Sequence, residues 1–569
     1  MQHSTSSRIV TVLVTVLVVT GSFVFFPFGT GVVSAESVEI TECTTIDNQG
    51  TYVLTEDIEG ATPSAIACIK IQSSNVTLDG QGHTITNPGY GIDVQADFAN
   101  PERLENVVIR DLTVDARERV IVSYDATTVL DGVEVRAQED WAVAMQFGDL
   151  TVSNSSIHHA GGTGVRIFSG NVALVNSTVS SASGGLGVYL RNNPTTKTTV
   201  TVTETTVSGF DTGIQMNADQ SLVVEGSEIS ARDVGITGAA REGFTGAVVR
   251  DTDITAGRWG VYFRGDDNVV TDSRVTGPVE LGIVFEGDGN SAERNVVTGS
   301  TEFGIGVLGE GNVLRDNVVN ATTGSGFGLF GETTVVRATV NPTVSFVGDG
   351  VTLSAATAPA ATPTGLLNVG GYANVTLVDG TPLTLAVNYT DADIAGVEES
   401  SLALYRYDGT SGAWVPLADG SVDAAGDAVS GTLAESGVVA AFGAPAVSAI
   451  EVDISVKPGE KPTPINPNAR GVVPVAVLNT ADFDPADVNV STLRFGDSDD
   501  VTAGLGAVAV HTGHVEDVDG DGDLDLVVHF EMRDAGFDGD ETVAVLVGET
   551  LDGTALTGED EVVIVGQRR

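Results

Sequence analysis

The chain has 569 residues, with 77 acidic against 27 basic side chains and a formal net charge of −50. That length asks for several domains, and that charge excludes nucleic acid as the main partner, because phosphate binding needs basic groups to displace counterions. With 41% hydrophobic and 18% charged residues, scattered carboxylates, 69 glycines and 6% aromatics, the composition excludes disorder and predicts many short strands joined by tight turns.

The first element in chain order is an export signal. Arg8 precedes an apolar run from Ile9 to Phe28, and Val33-Ser34-Ala35 offers the small-residue pattern that signal peptidase cuts. Residues 1–35 are expected to be removed, leaving a secreted or surface-held mature chain that does not span a membrane. The alternative is an uncleaved anchor, since about 20 apolar residues can cross a bilayer. Cys43 and Cys68 follow the cut in an exported chain, where a disulfide is expected and two buried free thiols are the alternative. Lysine occurs only at Lys70, Lys197, Lys457 and Lys461. This balance resembles secreted haloarchaeal proteins, whose acidic surfaces stay hydrated at molar salt, where charges are screened within about 3 Å.

From about residue 75 to 330 the sequence repeats. An alternating segment, such as Glu105-Asn-Val-Val-Ile-Arg-Asp or Asn171-Val-Ala-Leu-Val-Asn-Ser, is paired with a glycine followed by Val, Ile or Phe at Gly164, Gly187, Gly213, Gly235, Gly260, Gly282, Gly304 and Gly326. The separations of 23, 26, 22, 25, 22, 22 and 22 residues fit one turn of a coil with three short strands per turn, Val, Ile and Leu inward and Gly or Asn at the corners. This stretch, with Cys68-Ile-Lys-Ile and Asn75-Val-Thr-Leu-Asp-Gly-Gln-Gly-His83 at its opening, resembles the right-handed parallel β-helix proteins of the NosD-like and CASH (carbohydrate-binding/sugar-hydrolase) group. The resemblance implies an all-β chain with a right-handed parallel β-helix over residues 36–342. It implies function only weakly, because the fold carries lyases, hydrolases, epimerases and plain binders.

Residues two apart on a strand share a face. If the residue after each repeat glycine points inward, the outward set is Asp93 and Gln95, Gln146, Arg166 and Phe168, Tyr189 and Arg191, Gln215 and Asn217, Tyr262 and Arg264, and Val284 and Glu286. Stacked at about 4.8 Å per turn, aromatic faces beside Arg, Gln and Asn are what a sugar polymer requires: rings cover its apolar faces, while amides and guanidinium groups bond its hydroxyls and carboxylates. Arg166, Phe168, Tyr189, Arg191, Gln215, Asn217, Tyr262 and Arg264 are the candidate ligand-binding residues; the alternative is a solvated strip rich in β-formers.

Catalysis is less supported. Glycoside hydrolysis needs two carboxylates flanking one bond, and Asp93 and Glu286 lie many turns apart. The Asp-Asp plus Gly-His-Gly motif set of β-helix polygalacturonases and the Asp-Pro-His-Asp motif of alginate epimerases do not occur. A lyase could use Arg166 or Arg191 as base, but no cluster of acidic ligands shares their turns. A copper site would draw on His83, His158, His159, Met145 and Met216; only His158-His159 is a cluster, and it reads as a solvated turn pair.

Past Thr343 the register stops. Residues 343–447 and 448–569 alternate in strand fashion and resemble two β-sandwich modules found in secreted proteins. The second contains Asp517-Val-Asp519-Gly-Asp521-Gly522-Asp523-Leu-Asp525. Asp at loop positions 1, 3, 5 and 9, Gly at 6 and a carbonyl at 7 match a structural Ca2+ loop. Val528 stands where an EF-hand has its bidentate Glu. The seven Asn-x-Ser/Thr sites at Asn75, Asn154, Asn176, Asn320, Asn374, Asn388 and Asn489 are candidate glycan acceptors, although Asn75, Asn154 and Asn176 also fit corners with buried side chains. The expected function is a non-catalytic polysaccharide or glycan binder, secreted or at the cell surface; the alternatives are a polysaccharide lyase or glycoside hydrolase, and a structural surface component.

Overall fold

Short runs of alternating branched and polar residues, broken by residues that tolerate a left-handed backbone, form strands that must keep turning. The computed structural model describes residues 37–565 apart from 61–65, 98–101, 192–197, 218–220, 239–243, 278–279, 321–322, 341, 447–448, 460, 462, 503 and 540. Its larger part is a coil of parallel strands with about 12 turns. The export signal expected over residues 1–35 lies outside the described residues, among which no helix is long and apolar enough to cross a membrane.

The register explains the core. In the wall that holds the repeat glycines, Ile69, Ile92, Ile121, Val143, Val165, Val188, Ile214, Ile236, Val261, Ile283, Ile305 and Phe327 pair turn upon turn. All are buried, so the residue after each glycine does point inward. The glycines themselves are demanded by close approach: a Cβ on Gly260 would sit 2.3 Å from Val275 Cγ1 and 2.5 Å from the carbonyl oxygen of Gly282.

One corner of each turn is built from a pair of residues. Asn154, Asn176, Glu204, Asp251, Asp272, Arg294 and Asp316 adopt a left-handed backbone, and the next residue buries a polar side chain that serves the neighbouring turn. The Ser155 amide donates to Ser177 Oγ at 3.2 Å, Thr252 to Ser273 Oγ at 3.3 Å, Ser273 to Asn295 Oδ1 at 3.0 Å and Asn295 to Asn317 Oδ1 at 3.0 Å. The ladder satisfies amides that a corner would otherwise bury unpaired. Asn75, Asn154 and Asn176 are left-handed corner residues as expected, but their side chains are exposed. The burial falls to the residue that follows them, because the left-handed turn swings the corner side chain outward.

A disulfide joins Cys43 to Cys68, tying the first strands to the wall. At the far end the pairing changes sense: Val351–Ala356 lies antiparallel on Ser325–Leu329, and Thr343–Gly348 on Thr333–Thr339. One buried cluster runs without a break from Ile40 to Ala441, across residue 343, and a second, from Val452 to Val562, fills the C-terminal sheets.

Candidate functional site

The glycine-bearing wall carries a continuous stack of rings and guanidinium groups on its outer face. Arg119 Cζ lies 5.2 Å from the ring centre of Tyr90 and 4.6 Å from that of Trp141. Two turns beyond Arg119, Arg166 Cζ lies 4.3 Å from Trp141, 4.8 Å from Phe168 and 5.6 Å from Tyr189. Asn217 Nδ2 donates to the Tyr189 hydroxyl at 3.3 Å, and Gln215 Nε2 donates to Asn217 Oδ1 at 3.1 Å. The stack therefore spans six turns, about 24 Å at 4.8 Å per turn. Six of the sequence-derived candidates, Arg166, Phe168, Tyr189, Arg191, Gln215 and Asn217, fall on it.

Charge sets this stretch apart. Twelve arginines of the coil have a carboxylate within ion-pairing distance, commonly one turn away, as in Arg294 with Asp272 at 2.7 Å. Among the described residues Arg166, Arg191 and Arg232 have no such partner; Arg232 donates instead to the Ala182 carbonyl at 3.2 Å, whereas Arg166 Nε is buried without a hydrogen bond. Burial also pulls the Arg166 guanidinium below its ordinary value, although an arginine stays charged throughout the working pH range. The rings hold it in place: a desolvated cation over an aromatic face gains about 2 kcal/mol.

Tyr262 and Arg264 do not belong to this surface. Tyr262 is only 7% exposed: its ring packs on Trp259, its hydroxyl donates to Glu286 Oε1 at 2.5 Å and accepts from Arg264 Nε at 2.8 Å. Glu286 stands opposite Arg264 on the next turn and neutralises it at 2.7 Å, so rings and charges here are spent on one another. Val284, 3% exposed, is covered likewise. Phe168 reaches the stack through an irregularity: Gln146 pairs with Ser169, leaving Phe168 outside the register and turned onto Trp141 at 5.4 Å. Arg119 and Trp141 escaped the sequence reading because their successive turns have Val120 and Ala142 where others have glycine; an aromatic just before the repeat position, as in Tyr90-Gly91 and Trp259-Gly260, was the usable signal for Trp141.

The remaining candidates divide. Asp93 is half-buried, and burial raises its carboxyl above the usual value against the pull of Lys70 and Arg119. His158 and His159 lie on a strand, not a turn. His158 is exposed and contacts Ser180 Oγ at 2.5 Å, whereas His159, 3% exposed, accepts the amides of Gly161 and Gly162 through Nδ1. That burial corrects the solvated pair expected: His159 caps the turn that follows it.

In the C-terminal module the acidic loop brings together carboxylate oxygens of Asp517, Asp519 and Asp525 within 4.8 Å of one another. Asp525, 1% exposed, accepts the amides of Asn479 and Val518, which fixes the loop on its sheet. Asp521 accepts from the Asp523 amide at 2.8 Å, and neither Asp521 nor Asp523 joins the trio. Clustered oxygens on a turn with Gly522 at φ +101 suit a hard dication.

Residues 141–254 and 212–358 match the family model described as the right handed beta helix region, and the chain is thus an all-β protein built on a right-handed β-helix. Among solved structures, the chain is similar to the mannuronan C-5 epimerase AlgE6 A-module of Azotobacter vinelandii, at 16% identity and a TM-score of 0.32, over 51% of this chain and 89% of that one. It is also similar to the Dettilon tailspike protein, at 13% identity and a TM-score of 0.35, over 72% and 87%. A mutant tailspike protein of E. coli bacteriophage HK620, in complex with a pentasaccharide, aligns at 11% identity and a TM-score of 0.40 over 70% and 87%. No curated protein sequence matches.

Proposed function

We propose that the protein is a non-catalytic binder of an acidic polysaccharide, which lies along the wall from Tyr90 to Asn217. The observation that carries this reading is Arg166, a guanidinium seated over three rings with no carboxylate of its own in a chain of net charge −50. A uronate or sulfated sugar supplies the missing anion bidentately, offers apolar faces to Trp141 and Tyr189, and presents hydroxyls to Gln215 and Asn217. The acidic remainder of the surface repels the same polymer and so favours this strip alone. The protein acts outside the cell, in keeping with its export signal, its NosD-like and CASH resemblance and its haloarchaeal balance of charge. The Asp517–Asp525 loop holds a structural Ca2+.

The test is retention of acidic and neutral polysaccharides by the full chain at low and molar salt, with wild type beside Arg166→Ala and Arg191→Ala. Retention of acidic polymers only, lost in both variants, is expected. No retention of any acidic polymer, or retention indifferent to both arginines, overturns the reading. One observation favours turnover instead: Asp93, with its raised carboxyl, stands beside Arg119 at the end of the stack. Release of unsaturated uronide, lost in Asp93→Asn, would assign a lyase.

A further inference from the structure

A second gathering of ligating side chains lies far along the chain from this strip. The chain has seven histidines, and three of them meet on one face of the C-terminal module. The strand Asp525–Glu531 turns Leu526, Val528 and Phe530 into the core, so Val527 and His529 project from the opposite face. His514 stands opposite Val527 on the antiparallel neighbour His514–Glu516 and shares that face. Ala509 bridges Phe530, and the Val510 amide donates to the His529 carbonyl at 2.9 Å, which brings His511 to the same place. The turn His511-Thr512-Gly513-His514 closes through Gly513 at φ +76. The His511 and His529 ring centres are 5.1 Å apart, and those of His514 and His529 are 5.9 Å apart. His511 and His514 are exposed and His529 is half-buried, with Nδ1 buried and lacking any hydrogen-bond partner.

We propose that His511, His514 and His529 form a binding site for a borderline transition-metal dication such as Zn2+, Ni2+ or Cu2+. With Zn–N bonds of about 2.0–2.1 Å, tetrahedral geometry sets ligating nitrogens about 3.3 Å apart. As the rings stand, their nitrogens do not all lie within 4.8 Å of one another, so the exposed His511 and His514, with ring centres 5.1 and 5.9 Å from that of His529, must turn about their broad terminal torsions to reach that spacing. A bound ion also satisfies His529 Nδ1, the kind of orphaned polar atom that buried sites otherwise avoid. Glu516 Oε2 lies 3.6 Å from His514 Nε2, an ion-pair distance that the same ring turn can close to a hydrogen bond, leaving Nδ1 as the ligand in the carboxylate–histidine arrangement common around bound metals. The site differs in chemistry from the acidic loop on the same hairpin: three imidazoles select borderline metals, whereas carboxylate oxygens select hard ones.

The full chain, stripped of metal, is titrated calorimetrically with Zn2+ in a large excess of Ca2+ and Mg2+, which occupy the exposed carboxylates. One equivalent is expected to bind, with affinity reduced at least tenfold in the double variant His511→Ala/His514→Ala and unchanged in Asp519→Ala. Both histidines are exposed, so the fold survives their removal. As a readout independent of any variant, the electron paramagnetic resonance spectrum of bound Cu2+ should show coupling to imidazole nitrogens in the wild type. Zn2+ binding that Ca2+ abolishes, binding that persists in the double variant, or a Cu2+ spectrum with oxygen ligands only, overturns the proposal.

Discussion

The Arg166 guanidinium stands 4.3 Å from the ring centre of Trp141, which also carries the Arg119 guanidinium at 4.6 Å. Two cations, on the turns before and after, thus share one indole. Arg119 reaches Asp140 at 3.5 Å, while Arg166 has the rings alone, so the uncompensated positive charge of the strip lies on Arg166 and Arg191.

Removing that charge is expected to weaken binding of an acidic polysaccharide by about tenfold or more, the worth of a charge-assisted hydrogen bond. Arg264→Ala should leave affinity within about twofold, since Glu286 already occupies Arg264; twofold is a few tenths of a kcal/mol. Isothermal titration of both variants with one polyuronate separates them. Equal losses would mean that net charge, and not the stack, governs binding.

A second expectation concerns the corner ladder. Asn295 accepts the Ser273 amide and donates through Nδ2 to the Val270 carbonyl at 2.8 Å, wholly buried. Asn295→Ala leaves the buried Ser273 amide without its acceptor and should cost about 1–3 kcal/mol, the penalty of one unsatisfied group, since the Val270 carbonyl remains in the strand ladder. Chemical denaturation measures it, and a loss below about 1 kcal/mol would show that the corner relaxes or admits water.

The acid limb of stability should carry the mark of Asp79. Burial pushes this carboxyl up, but the Gln81 amide and the Arg110 guanidinium outweigh it and hold the group below its ordinary value. A depressed carboxyl contributes stability above its unfolded value of about 3.9, which is lost as pH falls through the folded value. Thermal melts from neutral pH down to about 3 should therefore fall more steeply for the wild type than for Asp79→Asn, the steeper part lying below the unfolded value of about 3.9.

The acidic loop yields a melt comparison at fixed ionic strength. An ion bound only by the folded form adds about 2.7 kcal/mol at a hundredfold excess over its Kd. Asp519 belongs to the oxygen trio and Asp523 does not, so Asp519→Ala should abolish the calcium-dependent rise in melting temperature of the C-terminal module, while Asp523→Ala leaves most of it. Melts that coincide with calcium and with chelator leave the loop an acidic turn.

The coil was legible in the sequence because its period is carried by residues with steric duties: Gly260 has no room for a Cβ, and Val165 or Ile283 has no place but the core. Two thirds of the strip followed from the same count. The rest depended on relations between turns that a single strand does not encode. Tyr262 looked like a free ring until Glu286 and Trp259 closed over it. Trp141 was overlooked because Ala142 interrupts the glycine pattern, and the histidine trio was hidden because His511 and His529 meet only across a bridge between Ala509 and Phe530.

The reversal of strand sense at the end of the coil has a consequence for assembly. A parallel coil that simply stopped would show unpaired amides and carbonyls on its last turn, a template onto which another copy could add itself. Here Val351–Ala356 and Thr343–Gly348 take up those groups in the antiparallel sense, and the chain then leads away into further strands. A neighbour's first turn finds no parallel register to continue, so fibre growth by end-to-end addition is blocked at that terminus, and the length of the coil is set by the chain itself.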